Sequence, residues 1–311
     1  MAAAMLVALA LDALVGWPDR LYARIGHPVT WLGALIDALD ARFNRDDRQA
    51  RTRRLAGIGV TVGITLLTIG FGAALQALAP EGTASVLLVG VLAWPLVAAR
   101  SMYDHVADVA LPLAADDMDG ARHAVSMIVG RDPNQLDAAG IRRSLLESLA
   151  ENTSDGIVAP LFYGVIFGLP GIMAYKAINT LDSMIGHRNA RHADFGWASA
   201  RLDDAVNLIP ARLTGFIFAL ISRQPGTALR VMWRDAANHR SPNAGWPEAA
   251  MAGALSVRLS GPRIYGDRVA DEPWLNGTAP DPTDHDVAEG LILFRRSMFA
   301  VAGLLAVLAL V

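Results

Sequence analysis

The sequence predicts an all-α fold: a polytopic helical membrane protein with a polar face built from helices and ordered loops. Of the 311 residues, 53% are apolar, which is more than an ordinary soluble domain of this length carries. Several apolar runs approach the roughly 20 residues that a membrane-crossing helix needs. No segment shows the alternation of apolar and polar residues that is typical of a strand.

Four apolar runs are the predicted membrane segments within a single integral membrane domain, 1–311. The run 55–79 is long enough by itself, 84–99 must recruit neighbouring residues, and the two terminal runs are marginal. The first run has no leading basic region, so it predicts a retained anchor rather than a cleaved signal peptide. The predicted segments are 1–15, 55–79, 84–99 and 291–311.

Two further apolar runs are interrupted. The run 157–175 contains Pro160 and Pro170, and the run 208–222 contains Pro210 and Arg212. Non-helical backbone is tolerated at membrane depth when it is buried in protein, so each run either crosses the membrane or re-enters it. The sequence leaves both readings open.

An arginine-rich stretch precedes the strongest membrane segment. By the positive-inside rule this stretch faces the cytoplasm, which predicts a multi-pass protein of the cell (inner) membrane. We expect the polar segments 101–152, 176–207 and 223–289 to share one face, because they hold nearly all the candidate chemistry. The arginines of the stretch are Arg42, Arg45, Arg48, Arg51, Arg53 and Arg54.

Composition excludes several kinds of function. The net charge of -3 offers no broad basic surface, so nucleic acid is not an expected partner. The absence of cysteine excludes disulfides, zinc–thiolate sites and thiol nucleophiles. No P-loop, dinucleotide fingerprint or nucleophile elbow is present. Lys176 is the only lysine, which suggests a place where a compact, rotatable charge is needed.

The first polar cluster lies at 147–156. Glu147 and Glu151 are four residues apart and share a helical face, and Asn152 and Asp155 follow in a predicted turn that ends the helix. Carboxylates beside an apolar segment suit Mg²⁺ and phosphate chemistry. The alternative is a surface pair between Arg143 and Glu147, followed by an ordinary helix stop.

The second cluster is a predicted amphipathic helix over 176–187, with an apolar face opposite a polar stripe. Exposed helix faces usually carry glutamate, lysine and arginine, whereas this stripe is rich in other polar residues. The pattern therefore favours an interior polar lining over a solvated face. The stripe consists of Lys176, Asn179, Asp182, Ser183 and His187.

The third cluster is the aspartate pair Asp203 and Asp204. Asn207 follows at helical spacing and can meet either carboxylate. Paired aspartates beside an apolar run often bind a divalent cation. The alternative is a salt bridge from either aspartate to Arg201 or Arg212.

Two loops complete the set of candidates. The segments 27–29 and 241–248 are poor helix formers flanked by helical sequence, and such loops frequently position ligands. The wider stretch 241–286 is rich in proline, glycine, asparagine and aspartate, which predicts an ordered loop or a lid. A lone histidine such as His27 is more often a packed residue than a ligand.

Taken in order, five segments resemble the adenosylcobinamide-phosphate synthase family, of the CobD/CbiB type. Any one of them is a weak signal, but five in this order are specific, and the resemblance spans essentially the whole chain. The one oddity is a shortened apolar segment after Arg296, which concerns anchoring. The segments are His27–Val29, Glu147–Gly156, Tyr175–Met184, Phe195–Asp204 and Ser241–Glu248.

The resemblance implies an enzyme of cobalamin biosynthesis that acts at the lipid bilayer. Its reaction is an ATP-dependent amide ligation of adenosylcobyric acid with an aminopropanol phosphate, or ethanolamine phosphate, to give adenosylcobinamide phosphate. ATP and Mg²⁺ are the implied cofactors, and the corrinoid and the aminoalcohol phosphate are substrates. The choice of aminoalcohol phosphate stays open, as does a homo-oligomer or an association with other membrane enzymes of the cobalamin pathway.

With that reaction in view, we assign hypothetical roles to the polar residues. Which carboxylate is the base and which bind metal stays open. The expected catalytic residues are Lys176, Glu147, Asp182 and Asp204; the expected substrate- and phosphate-binding residues are His27, Asn152, Asn179, Ser183, Arg201, Arg212 and Asn243; and the expected metal ligands are Asp155, Asp182, Asp203 and Asp204.

Two other kinds of function compete with the ligase. A related membrane protein that kept the fold for signalling or sensing would have no ligase activity, and it could dispense with Lys176, Asp182 and the aspartate pair. A small-molecule transporter with helices broken at Pro160 and Pro170 would also explain polar residues within the membrane. The lack of repeat symmetry argues against the transporter.

Overall fold

The computed structural model describes residues 1–126, 136–187, 189–265, 268–270 and 272–311. It confirms the all-α prediction, since helices dominate the described residues. The helices are α1 (Ala2–Val15), α2 (Asp19–Ile25), α3 (Pro28–Phe43), α4 (Ala50–Ala77), α5 (Thr83–Ala93), α6 (Ala99–Ala114), α7 (Met118–Ser126), α8 (Ala138–Thr153), α9 (Ala159–Phe167), α10 (Leu169–Ile185), α11 (Trp197–Val206), α12 (Leu208–Ile221), α13 (Pro225–Asp235), α14 (Gly245–Leu255) and α15 (Asp284–Leu310).

Short elements fill the connections. Single 3₁₀ turns lie at Trp94–Leu96 and Ala236–Asn238, and a π-helical turn lies at Ser154–Val158. The strands are β1 (Leu259–Ser260), β2 (Arg263–Tyr265), β3 (Arg268–Ala270) and β4 (Trp274–Leu275). They form two antiparallel pairs, β1 with β4 and β2 with β3.

The prediction of a loop or lid over 241–286 is wrong in part, because α14 lies inside it and α15 begins before its end. The stretch 249–254 is rich in alanine, the strongest helix former. Pro247 falls in the first turn of α14, where a backbone N–H has no partner within the helix in any case. The proline and glycine content therefore marks the start of a helix as well as loops.

Three stretches in the described part of the chain are long and apolar enough to cross a membrane: Ala50–Ala77, Thr83–Ala114 and Asp284–Leu310. Two bent helix pairs pass the same criterion if each pair counts as one span. They are Ala2–Val15 with Asp19–Phe43, and Trp197–Val206 with Leu208–Ile221. The chain is therefore built as a polytopic helical membrane protein, while the individual membrane boundaries predicted above stay predictions.

The chain divides into two compact units. Unit 1 comprises Met1–Ala98, Ala159–Asn207 and Leu304–Val311. Unit 2 comprises Ala99–Val158 and Leu208–Gly303.

The core of unit 1 is formed where α10 packs on α3 and α4. Ala177, Leu181 and Ile185 of α10 are buried against Ile36 of α3 and Val60 of α4. These α10 residues belong to the predicted apolar face, so the amphipathic helix is confirmed. Burial of this face turns the opposite side of α10, with its polar stripe, away from the core.

Glycine permits two close approaches in unit 1. A Cβ at Gly57 of α4 would lie only 1.8 Å from the backbone oxygen of Phe195, so no larger residue fits there without backbone movement. Gly168 has a φ of +69°, which favours glycine, and it precedes the start of α10. There the side-chain oxygen of Gln76 accepts a hydrogen bond from the Leu169 N–H over 2.8 Å.

In unit 2, ionic contacts tie the strand region to α8. Asp281 accepts hydrogen bonds from Arg143 and Arg258, and both guanidinium groups also lie over the ring of Trp274. The hydrogen bond from Arg258 is the main reason that the pKa of Asp281 lies below its usual range. Arg142 pairs with Asp284 at the start of α15.

Candidate functional site

The polar stripe of α10 is the centre of the candidate site in unit 1. Lys176, Asn179 and Asp182 are half-buried, and Ser183 lies at the exposed end of the stripe. The hydroxyl of Ser183 donates to the backbone oxygen of Asn179, one helical turn earlier, over 2.9 Å. The stripe is therefore half-buried at its first three residues and exposed at Ser183 and His187, and the interior lining stays a prediction.

Helix α11 brings the aspartate pair to this stripe. Asp203 is 9% exposed, and its Oδ2 accepts a hydrogen bond from the side chain of Asn207 over 3.0 Å. Asn207 in turn accepts a hydrogen bond from the buried hydroxyl of Tyr175 over 2.8 Å. The predicted contact between Asn207 and the pair is thus made to Asp203, and a tyrosine that sequence reasoning missed fixes the asparagine.

The second oxygen of Asp203, Oδ1, is buried and accepts no hydrogen bond from the described residues. Asn179 lies within reach of the Asp203 carboxyl group, and Asp182 and Asp204 lie within electrostatic range. A buried acceptor without a donor is costly, so native proteins rarely keep one without a use. This orphaned oxygen marks a place where a proton or a cation would be stabilised.

Asp182 shares this negative environment. Burial raises the pKa of Asp182 above its usual value, the charge of Asp204 adds to the rise, and His187 opposes it. A carboxylate with a raised pKa binds a proton more readily than an ordinary one, which suits a general base. This direction is compatible with the expected catalytic role of Asp182, which stays a prediction.

Asp204 and Arg201 form the ion pair that the sequence offered as the ordinary alternative. Nη1 of Arg201 donates to Oδ2 of Asp204 over 3.2 Å, at i,i+3 spacing on the outside of α11. Both expected roles, catalysis or metal binding for Asp204 and phosphate binding for Arg201, stay predictions. A ligand would have to share or replace this contact.

His27 is the N-cap of α3. Its Nδ1 accepts a hydrogen bond from the Val29 N–H over 3.2 Å, and Thr30 completes a capping box. The ring also packs edge-on against Trp17 at 4.9 Å. His27 nevertheless lies within electrostatic range of Lys176, so the loop is at the candidate site even though the imidazole has a structural partner.

Unit 2 holds the remaining predicted residues. Glu147 is 4% exposed and accepts a hydrogen bond from the Ser260 N–H over 2.8 Å, so the alternative of a surface pair with Arg143 is wrong. The side chain of Asn152 is exposed and donates to the backbone oxygen of Ser148. Glu147 therefore fastens α8 to β1, and its expected catalytic role stays a prediction.

The helix does not end in a polar turn at Asp155, which corrects the sequence-based expectation. The chain continues from α8 through the π-helical turn Ser154–Val158 into α9. Asp155 is half-buried within that turn. π-Helical turns insert one residue into a helix and occur frequently at functional sites, which adds weight to the segment.

Arg212 and Asn243 are brought together in unit 2, although 31 residues separate them. Nη1 of Arg212 lies 3.4 Å from Oδ1 of Asn243 and 2.7 Å from the backbone oxygen of Leu208. The guanidinium lies over the ring of Trp246, 4.4 Å from its centroid. Stacking holds the arginine in one orientation, which a phosphate-binding group requires.

A buried acid–histidine contact was missed. Nε2 of His239 lies 3.7 Å from Oε2 of Glu248, and the two side chains are 4% and 2% exposed. The Ser241 N–H donates to Nδ1 of the same ring over 3.1 Å. Glu248 closes the segment 241–248 that was singled out as a loop, but its partner lies outside that segment, and spacing gave no signal for the pair.

Few carboxylates in the candidate site could contribute to binding a metal ion. Among the described residues, no group of three or more histidine, cysteine, aspartate or glutamate side chains is arranged to hold a metal ion by itself. Mg²⁺ does not require such a group, because it commonly takes one or two carboxylates together with water and substrate phosphates. The orphaned oxygen of Asp203, with Asp182 and Asp204 nearby, fits that mode.

Comparison with known proteins matches nearly the whole chain. Residues 5–294 match the family model described as CobD/Cbib protein. A Rhodobacter capsulatus protein named cobalamin biosynthesis protein CobD is 64% identical over 99% of this chain and 98% of its own length. A protein of the same name from Brucella suis biovar 1 is 47% identical over 98% of this chain and 96% of its own length.

No solved structure matches this chain. The family match and both relatives cover nearly the whole chain, as the resemblance predicted. On this evidence the chain belongs to the CobD/Cbib protein family, whose relatives named here are cobalamin biosynthesis proteins.

Proposed function

We propose that this chain is a membrane synthase of cobalamin biosynthesis that joins adenosylcobyric acid to an aminoalcohol phosphate by ATP-dependent amide ligation. Membership in the family supports the pathway. The observation that carries the chemistry is the acidic group of unit 1, in which buried Asp203 keeps one oxygen without a hydrogen bond from the described residues beside half-buried Asp182.

The reaction must overcome the low reactivity of a carboxylate towards an amine. In the proposed scheme, a carboxylate oxygen of the corrinoid attacks the γ-phosphorus of ATP, ADP leaves, and an acyl phosphate forms. The amine nitrogen then attacks the acyl carbon, inorganic phosphate leaves, and the nitrogen loses a proton. Both steps are limited by alignment and by neutralisation of phosphate charge.

The residues of unit 1 divide these tasks. Asp182, whose pKa is raised mainly by burial, takes the proton that the attacking amine must lose. Lys176 supplies a mobile positive charge for phosphate oxygens. Asn179 orients substrate through hydrogen bonds, and Arg201 shifts from Asp204 to an incoming phosphate. Arg212 of unit 2, whose guanidinium lies over the ring of Trp246, stays a predicted phosphate-binding residue.

Asp203, with Asp182 and Asp204 beside it, would hold Mg²⁺, which would neutralise phosphate charge during transfer. The protein's part is to keep Asp203 in place through Asn207 and Tyr175. That anchoring engages Oδ2 of Asp203 and leaves the buried Oδ1 as the oxygen that would contact the cation.

Reconstitution tests the proposal directly. The purified chain in lipid nanodiscs is incubated with adenosylcobyric acid and either aminopropanol phosphate or ethanolamine phosphate. Amide product is measured by mass spectrometry with ATP and Mg²⁺ present, and again with each omitted. We expect product only in the complete mixture. Product formed without nucleotide would reject the acyl-phosphate scheme, and corrinoid binding without any product would favour the sensor alternative.

A further inference from the structure

A second polar cavity lies in unit 2, apart from every residue given a role above. It has a volume of about 170 Å³ and lies between the end of α12, the end of α14 and the first half of α15. Pockets for drug-sized ligands are roughly 300–1,000 Å³, so this cavity suits a much smaller molecule. Arg223, Arg296, Asp286 and Glu289 line it, together with Leu255 and Leu293.

The charges of the cavity are arranged along one face of α15. Asp286, Glu289, Leu293 and Arg296 follow one another at spacings of three or four residues, so they form a single stripe. The acidic residues lie towards the start of the helix and the arginine about two turns further on. Helical side chains tilt towards the N-terminus, so Arg296 leans back towards the acidic end.

The charged side chains of the cavity differ in how far contacts with other described residues neutralise them. Arg223 contacts Glu289 at 3.6 Å, and one oxygen of Asp286 accepts hydrogen bonds from Thr283. Arg296 forms no hydrogen bond or ion pair with any residue that the structure describes. The cavity therefore offers a cation with no partner beside carboxylates that are only partly neutralised.

We propose that this cavity binds a small zwitterion that carries a phosphate at one end and an ammonium group at the other. Arg296 and Arg223 hold the phosphate, Glu289 and Asp286 hold the ammonium, and Leu255 and Leu293 pack against the connecting carbons. A simple anion would face the two carboxylates, and a simple cation would face the two arginines. A ligand with both charges would complement Arg296 at one end and the carboxylates at the other, and it would share the contact between Arg223 and Glu289.

Two sources supply this chemistry. One is a free aminoalcohol phosphate, and this reading rests on the function proposed above. The other is the headgroup of phosphatidylethanolamine, because α15 is a candidate membrane span and the cavity lies near its polar end. The two share the phosphoethanolamine group, and the experiment separates them.

The first arm uses calorimetric titration of the full chain, purified in detergent without phospholipid, with ethanolamine phosphate as the probe. Phosphate alone and ethanolamine alone should each bind at least about tenfold more weakly, since each loses the charge-assisted contacts of the other end. Arg296→Gln and Glu289→Gln should each weaken the binding of ethanolamine phosphate to a similar extent. Arg295→Gln is the matched control, because Arg295 is an exposed neighbour that does not line the cavity.

The second arm measures lipid retention by native mass spectrometry after transfer from nanodiscs containing phosphatidylethanolamine or phosphatidylcholine. Retention of phosphatidylethanolamine that Arg296→Gln abolishes, without binding of the free probe, assigns the cavity to the lipid headgroup. Binding of the free probe assigns it to the aminoalcohol phosphate. No binding in either arm, or an equal loss in Arg295→Gln, overturns the proposal. Arg223→Gln provides a second test if Arg296→Gln unfolds.

Ligation is assayed in parallel so that the two proposals fail separately. If the chain forms amide product but does not bind the zwitterion, the proposed binding cavity is refuted and the proposed ligase function stands. If the chain binds the probe but forms no amide product, the proposed ligase function is refuted and the proposed binding cavity stands.

Discussion

Asn207 donates a hydrogen bond to Oδ2 of Asp203 across 3.0 Å, and this one contact orients a buried carboxylate of the acidic group in unit 1. Because it engages only one oxygen, it fixes the direction of the other. The asparagine is in turn held by Tyr175, which is 1% exposed. The carboxylate is thus positioned by neutral groups, which hold it without neutralising its charge.

Asp203→Asn should stabilise the protein and abolish ligation. The change removes a buried negative charge that Asp182 and Asp204 repel, so the apparent melting temperature in detergent should rise. The lost charge removes the expected cation site, so product formation should fall by about a hundredfold or more. Asp204→Asn is the comparison variant; its exposed pair with Arg201 should change stability little. A fully active Asp203→Asn would remove this residue from the site.

Asn207→Ala should destabilise unit 1 and impair ligation. It leaves the Tyr175 hydroxyl and Oδ2 of Asp203 without their described partner, which typically costs about 1–3 kcal/mol for a buried group. Chemical unfolding of the purified protein measures the loss. Gln49→Ala, at an exposed position in the same unit whose side chain makes no capping hydrogen bond, should have little effect. Equal stability of the two variants would contradict the positioning role.

Lys176→Ala should abolish ligation while expression and thermal unfolding stay near those of the parent protein. Lys176 is half-buried on the polar stripe, so its truncation leaves the apolar packing of α10 intact. Lys176→Arg keeps the charge and tests whether a compact ammonium is needed. Full activity of the alanine variant would exclude the lysine from catalysis.

We expect Asp281 to make part of the protein's stability dependent on pH in the acid range. Its pKa is lowered in the folded state, chiefly by the hydrogen bond from Arg258, so its contribution to stability is present above the ordinary carboxyl pKa. That contribution is lost as the pH falls through the folded-state pKa. The difference in melting temperature between the parent and Asp281→Asn should therefore be present at neutral pH and disappear in acid. A difference independent of pH would mean that packing, and not charge, is responsible.

Gly57→Ala and Gly59→Ala should have opposite effects. A methyl group at position 57 meets the backbone oxygen of Phe195, and overpacking of this kind costs about 1–3 kcal/mol or more. Nothing lies within 4 Å of a Cβ at Gly59, so alanine there should be neutral or stabilise the helix by up to about 1 kcal/mol. Thermal unfolding of the pair checks the prediction. Equal behaviour of the two variants would mean that the close contact is not maintained.

Periodicity predicted the parts of the site that lie within one helix. The stripe of α10 and the spacing of Asp203 and Asn207 follow from 3.6 residues per turn, so both could be recognised in the sequence. The segment around Pro247 was assigned to a loop because proline content was counted without its position in the first turn.

Contacts between distant segments could not be predicted in the same way. Asp281 with Arg143, Glu147 with the Ser260 N–H, and Tyr175 with Asn207 join residues that no local pattern relates. The π-helical turn at 154–158 also escaped, because the sequence of that turn looks like a helix stop. Such features depend on tertiary packing, which overrides local propensity.

Position 57 is a glycine, and the close packing that it permits affects the placement of the acidic group formed by Asp182, Asp203 and Asp204. Because α4, a candidate membrane span, approaches the carbonyl of Phe195 directly, and α11 begins two residues later, the position of Asp203 depends on the position of that helix. A shift or tilt of α4 is therefore expected to move the carboxylates of α11 with it.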